Sequence, residues 1–263
     1  IKFKESGELH QLILKRYLDW LDNDLDSSHS RMKSIILLAL PRPAHTLTFS
    51  SAKGPFVTLL PPTYVNYDNT FKIYLSDFKN CFGTSLGEVR LLQAPLKTLA
   101  VHLVLASYGK NNITYVGKFG SYHQLMAFVI EKQLKPYDEF KAGKEAQLEE
   151  CSKCSICETI CPTKAITSER FLLKAEKCLT FHNEKEGELP ENVQLRPKTY
   201  PCFIGCMTCQ EFCPANKNAL KIEPTGIAFD EMETEEILKD EKNPEVWAGI
   251  KSKFEKLGMM SCE

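Results

Sequence analysis

Nine of the eleven cysteines in this 263-residue chain fall between Cys151 and Cys213, and no other feature limits its fold as tightly. Cys151, Cys154, Cys157 and Cys161 are separated by two, two and three residues and followed by Pro162. Cys206, Cys209 and Cys213 are separated by two and three and followed by Pro214, with Cys202 four residues ahead of Cys206. In a bacterial ferredoxin run, three closely spaced thiolates grip one [4Fe–4S] cubane and the fourth, carried away on a short helix, ligates a second cluster. One run is therefore incomplete, and the second set completes it. The crossing assigns Cys213 to the cluster of Cys151, Cys154 and Cys157, and Cys161 to that of Cys206 and Cys209. One more thiolate is needed there, from Cys178 or Cys202. Zinc is the usual competitor for paired cysteines, but two adjacent sets each ending in Cys-Pro point to iron. Disulfides are not expected from so local a clustering. Cys81 and Cys262 stand apart and read as incidental thiols.

Outside this segment the chain reads as a layered α/β (or α+β) domain. Leu9, Leu12, Ile13, Tyr17, Trp20 and Leu21 recur at helical spacing. Residues 34–40 and 56–60 read as strands stopped by prolines, residues 71–82 as either strand or helix, and Pro95 as the start of a helix that Gly109 ends. Residues 113–116 read as a strand and residues 122–131 as a helix. The charged stretch 131–150 marks a boundary. The expected division is an α/β cofactor-binding domain over 1–145, a ferredoxin-like domain over 146–224 and a helical tail over 225–263. In that tail Thr234 serves as a cap, and Trp247, Ile250, Phe254 and Leu257 share one helix face.

Lys and Arg total 33 against 34 Asp and Glu, a formal net charge of −1. Neither a nucleic acid nor an anionic membrane is expected as a partner on that balance. The longest apolar run, residues 34–40, is far short of the roughly 20 residues of a membrane helix. The first residues lack the apolar core of a secretory signal, and a cytoplasmic location is expected.

The run Cys151–Pro162, the segment Cys178-Leu-Thr-Phe181 and the run Gly205-Cys-Met-Thr-Cys-Gln-Glu-Phe-Cys-Pro214 together resemble the double-cluster region of epoxyqueuosine reductases and, more distantly, of reductive dehalogenases. Residues 31–40 resemble that family's first core strand. Residues 108–111 and 119–122 resemble its Gly-Lys-Asn segment. The likeness spans about residues 31–222. It implies a nitroreductase-like N-terminal domain that binds cobalamin against the ferredoxin-like domain, with Cys178 preferred over Cys202 as the last cluster ligand. Lys110, Asn111, Gly120, Ser121 and His123 are the expected cofactor contacts. The Asp-x-His-x-x-Gly signature of a lower histidine ligand is absent, so the implied corrinoid is base-off. Tyr64 and Tyr67, in a proline-bounded loop, are the candidate proton donors. Where the family places an acid before its Gly-Lys-Asn helix this chain has Gln93, which cannot serve as an acid, and a tRNA substrate is not expected. His102 reads as a core residue and His182 as a neighbour that tunes a cluster thiolate.

The leading expectation is a cobalamin-dependent iron–sulfur reductase that takes electrons from a low-potential donor such as ferredoxin or flavodoxin and acts on a small molecule. Its rivals are a non-catalytic carrier that reduces a partner redox protein, and a reductase holding flavin in place of the corrinoid.

Overall fold

The computed structural model describes residues 31–135, 147–169, 171–184, 202–219 and 222–259, and the backbone alone of residues 67 and 68. The helix expected over residues 9–21, the boundary expected at 145, and Cys262 lie outside the described residues.

Two three-stranded sheets carry the N-terminal region. In the first, β1 (Ser34–Pro41) and β4 (Val89–Leu91) flank β7 (His123–Ile130), all antiparallel. This corrects the helix expected over 122–131. The run Leu125-Met-Ala-Phe-Val-Ile130 has no polar face because β7 is the central strand and is covered on both sides, so alternation is lost. The period of two persists in the packing. Met126, Phe128 and Ile130 face α1 (Tyr67–Phe82), where Phe78 lies 4.5 Å from Phe128 between ring centres. Ala127 and Val129 turn the other way, toward Leu92 and Leu37, while Leu125 meets Ala100 and Val101 of α2 (Leu96–His102). That helix stops at His102, well before the Gly109 expected to end it. A side chain as large as Phe128, wholly buried, contributes about 1.5–3 kcal/mol of transfer free energy.

The second sheet runs β3 (Gly54–Leu60), β2 (Ala44–Ser51) and β8 (Ile222–Phe229). β2 and β3 form an antiparallel hairpin, while β8 lies parallel to β2. Parallel pairing needs a long crossover connection, and here that connection includes the whole cysteine-rich segment. β8 straddles the boundary expected at residue 224, so the C-terminal part begins as a strand of the N-terminal framework. Leu47, Phe49, Leu60 and Phe229 of this sheet bury against Ile250, Phe254 and Leu257, the last two lying within and just after α7 (Pro244–Lys256). Before it, α6 (Glu231–Ile237) is capped by Asp230, whose carboxylate accepts the Glu233 N–H at 2.8 Å while Glu233 accepts the Asp230 N–H at 2.9 Å. Asp230 thus takes the role expected of Thr234.

A small hairpin, β5 (Ser107–Tyr108) and β6 (Thr114–Tyr115), projects the turn Gly109–Ile113 toward the cysteines. Among the described residues no helix is long and apolar enough to cross a membrane.

Candidate metal centre

The chain enters the cysteine segment tied to this hairpin: the Leu148 N–H donates to the Tyr108 carbonyl at 2.9 Å. A 3-10 turn (Glu149–Lys153) and α3 (Ile156–Ile160) carry Cys151, Cys154 and Cys157, and Cys161 closes the helix because Pro162 ends it. α5 (Thr208–Glu211) carries Cys209 and packs against α3. Cys213 follows it, and Pro214 begins a new 3-10 turn. Helices of five and four residues are too short to hold themselves in water. Their thiols are placed by turns and prolines.

Cys151, Cys154, Cys157 and Cys213 line a single pocket, together with Gly109, Lys110, Asn111 and Tyr115 of the hairpin. Cys161 instead packs with Cys157, Cys178 and Cys209. Burial, and then the neighbouring Cys151, Cys154 and Cys213, push the Cys157 thiol up to about 11. Cys178, at the start of α4 (Leu179–Asn183), is raised by burial and then by Cys206 and Cys161, while the backbone of Thr180 and Phe181 eases its ionisation; the Phe181 N–H donates to the Cys178 carbonyl at 3.0 Å. Cys202 feels Cys206 and Glu211, is pushed up to about 12 chiefly by burial, and packs with Ala44, Tyr122 and Met207.

These thiols fit a multinuclear core. Buried thiolates that repel one another hold protons unless a cation replaces them. Among the described residues no three His, Cys, Asp or Glu side chains converge on one point as a zinc ion requires; four surround a space instead. The Tyr122 hydroxyl is buried without a partner, near Cys209, Cys213 and Cys202, and a cluster would supply acceptor sulfur there.

The expected cofactor contacts are occupied otherwise. Lys110 Nζ donates to the Cys154 carbonyl at 2.7 Å. Asn111 Nδ2 donates to the Tyr115 hydroxyl at 3.0 Å and toward the Cys209 carbonyl at 3.4 Å. Ser121 donates its N–H to Asn216 Oδ1 at 2.9 Å and its hydroxyl to Gln210 at 3.0 Å. Gly120, at φ +52°, lies so close to Asn216 that a Cβ would meet its Oδ1 at 2.3 Å. His123 has both ring nitrogens engaged, with Thr114 at 3.1 Å and the Gly120 carbonyl at 2.9 Å, and burial lowers its pKa. Four of the five therefore fasten the N-terminal framework to the cysteine segment, and the fifth braces a turn. These polar groups are thus committed to the cluster segment and to the turn beside it.

Tyr64 ends a 3-10 turn (Pro62–Tyr64) and donates to Glu184; burial above all raises its pKa. The side chain of Tyr67 lies outside the described residues. His182 bonds the Glu176 carbonyl at 2.7 Å instead of a thiolate. Gln93 is exposed in the loop before α2, and Cys81 is exposed on α1. Tyr115, Asn112, Gln210 and Asn216 also join the two regions, Asn183 ties two parts of the cysteine segment together, and sequence reading missed them all. Asn112 donates to the Phe171 carbonyl at 2.7 Å, and Asn183 bonds the Gly205 backbone on both sides at 2.8 and 2.9 Å. Isolated amides carry no motif, so only their proximity to the two cysteine runs could have flagged them.

Residues 150–216 match the family described as a 4Fe-4S double cluster binding domain. The epoxyqueuosine reductase of Pseudomonas aeruginosa is 34% identical over 131 residues, 49% of this chain and 33% of the relative. That of Bacillus anthracis is 31% identical over 157 residues, 58% of this chain and 37% of the relative. The chain thus spans about a third of the length of the curated relatives it matches. Two solved structures share its mixed α/β fold. Streptococcus thermophilus epoxyqueuosine reductase aligns with a TM-score of 0.57 at 18% identity, over 82% of this chain and 57% of that one. An epoxyqueuosine reductase with an epoxyqueuosine-modified tRNA-Tyr stem loop aligns at 0.53 and 22%, over 80% and 58%.

Proposed function

We propose that this relative of the epoxyqueuosine reductases is an iron–sulfur oxidoreductase with two [4Fe–4S] clusters, one on Cys151, Cys154, Cys157 and Cys213 and one on Cys161, Cys178, Cys206 and Cys209. The observation that carries it is the pocket lined by the first four of these, three from one run and one from the other. Cys178 is preferred over Cys202 because it lies among three cysteines of the second set, whereas Cys202 feels only Cys206 of that set. Each cluster passes one electron, so two together hold a pair. Reducing an epoxide consumes electrons in pairs, which makes an epoxide-bearing nucleoside in tRNA the first substrate to test. The relatives' names and the tRNA-bound neighbour favour this class over the small molecule expected from charge balance. A low-potential donor such as ferredoxin or flavodoxin, in a reducing cytoplasm, would supply the electrons.

Two observations favour a second reading. Gln93 offers no acid, and the polar groups expected to hold a cofactor are committed to the cluster segment. A carrier that reduces a partner protein needs neither.

The test uses the anaerobically reconstituted chain with reduced flavodoxin and an epoxyqueuosine-bearing stem loop, with and without hydroxocobalamin. Loss of the epoxide at a rate that depends on the clusters supports the oxidoreductase reading. Clusters that cycle while the epoxide stays intact remove that substrate and favour the carrier. Stoichiometric cobalt surviving desalting would restore the corrinoid.

A further inference from the structure

We propose that Tyr115 sets the reduction potential of the cluster on Cys151, Cys154, Cys157 and Cys213 by donating its hydroxyl hydrogen to the Cys213 sulfur, with Asn111 as the positioning residue. The inference rests on the ligand assignment above.

Tyr115 lies on β6 in the N-terminal framework and is 4% exposed, so bulk water does not satisfy its hydroxyl. Its oxygen accepts a hydrogen from Asn111 Nδ2 at 3.0 Å. An amide nitrogen can only donate, and the Asn111 amide is held that way round because its Oδ1 accepts the Ile113 N–H at 3.3 Å. The phenolic hydrogen must therefore go elsewhere. It faces the pocket that Tyr115 lines together with Cys213, Cys151, Cys154 and Cys157, and Cys213 is the thiol that most perturbs the phenol after burial. Gly109 permits the arrangement, since a Cβ there would meet Asn111 Oδ1 and the Tyr115 ring, each at 2.5 Å.

The same turn lines the pocket beside Cys151, whose ionisation the Lys110 backbone eases against the effect of burial. A donor to a ligand sulfur stabilises the cluster more when it carries the extra electron, so it raises the potential. An Asn donor on the phenol oxygen strengthens the phenol as a donor in turn. Asn111 also reaches Cys209 of the second set, so it is the Tyr115 hydroxyl, and not the whole turn, that distinguishes the first cluster.

The test is a dithionite titration of the reconstituted chain followed by electron paramagnetic resonance, comparing it with Tyr115→Phe. The variant should keep both clusters while one midpoint moves to a more negative value and the other stays. Tyr108→Phe, which removes a buried phenol bonded to Thr98, should move neither. Unchanged midpoints in Tyr115→Phe, with iron retained, would overturn the inference. Should that variant lose iron, Asn111→Ala is titrated in its place, and a smaller negative shift of the same midpoint supports the role while no shift refutes it. Absence of two clusters in the unaltered chain would instead sink the ligand assignment itself.

Discussion

The two sheets and the cysteine segment are specified by different physics. Around the sheets, long strands and a sixteen-residue helix bury continuous cores of Phe, Leu, Ile and Met. Among the described residues of 147–219, the buried apolar positions are Cys161, Ala165, Ile166, Leu179, Cys202 and Met207, and no helix exceeds five residues. So little core cannot offset the entropy of ordering such a segment. Metal ligation, the polar fasteners and the packing of Phe171, Phe203 and Ile204 onto the framework cores supply the rest. The lesson is one of dependence: the framework carries the larger cores, and the cluster segment is held against them.

Iron removal should separate the two most sharply. Chelation under reducing conditions should give rapid amide exchange across residues 147–219 while β1, β7 and β2 stay protected; uniform loss of protection would show one cooperative unit. Next in size is a choice between two thiols. Cys178→Ser should reduce iron from about eight to about four per chain, whereas Cys202→Ser should leave iron near its original level. The reverse result would exchange their roles. In the framework, Phe128→Ala should cost about 3–5 kcal/mol in denaturant unfolding and leave the iron count of the surviving folded chain unchanged. The junction comes next: Gly120→Ala forces a Cβ against Asn216 at positive φ and should cost about 1–3 kcal/mol, raising exchange at residues 210–216 before β7 responds. Smallest is Asp230→Ala, which removes one helix cap and should lower stability by about 1 kcal/mol with no change at the clusters.

The same division decides what could be read in the sequence. The cysteine runs stand out in the sequence because ligand spacing is a local constraint, and the structure gathers Cys151, Cys154, Cys157 and Cys213 around one pocket. β1 was legible as an apolar run ended by Pro41, and α7 by its periodic Ile250 and Phe254. β7 was misread because Leu125, Met126 and Ala127 suit a helix, and only pairing with β1 and β4 makes them a strand. β8 was missed for the same reason: its partner, β2, lies far back in the chain. Lys110, Asn111, Gly120 and Ser121 stand out in the sequence as expected cofactor contacts, and in the structure the polar groups of Lys110, Asn111 and Ser121 bond the cluster segment. A motif marks that residues act together; only the fold says on what.

Iron and sulfide analysis of the anaerobically reconstituted chain, together with the electron paramagnetic resonance spectrum of its fully reduced state, addresses the two-cluster assignment most directly. Two clusters sharing ligands across the runs require about eight irons per chain and a signal broadened by coupling between neighbouring spins. A colourless protein holding zinc, or about four irons with a single uncoupled signal, would contradict it.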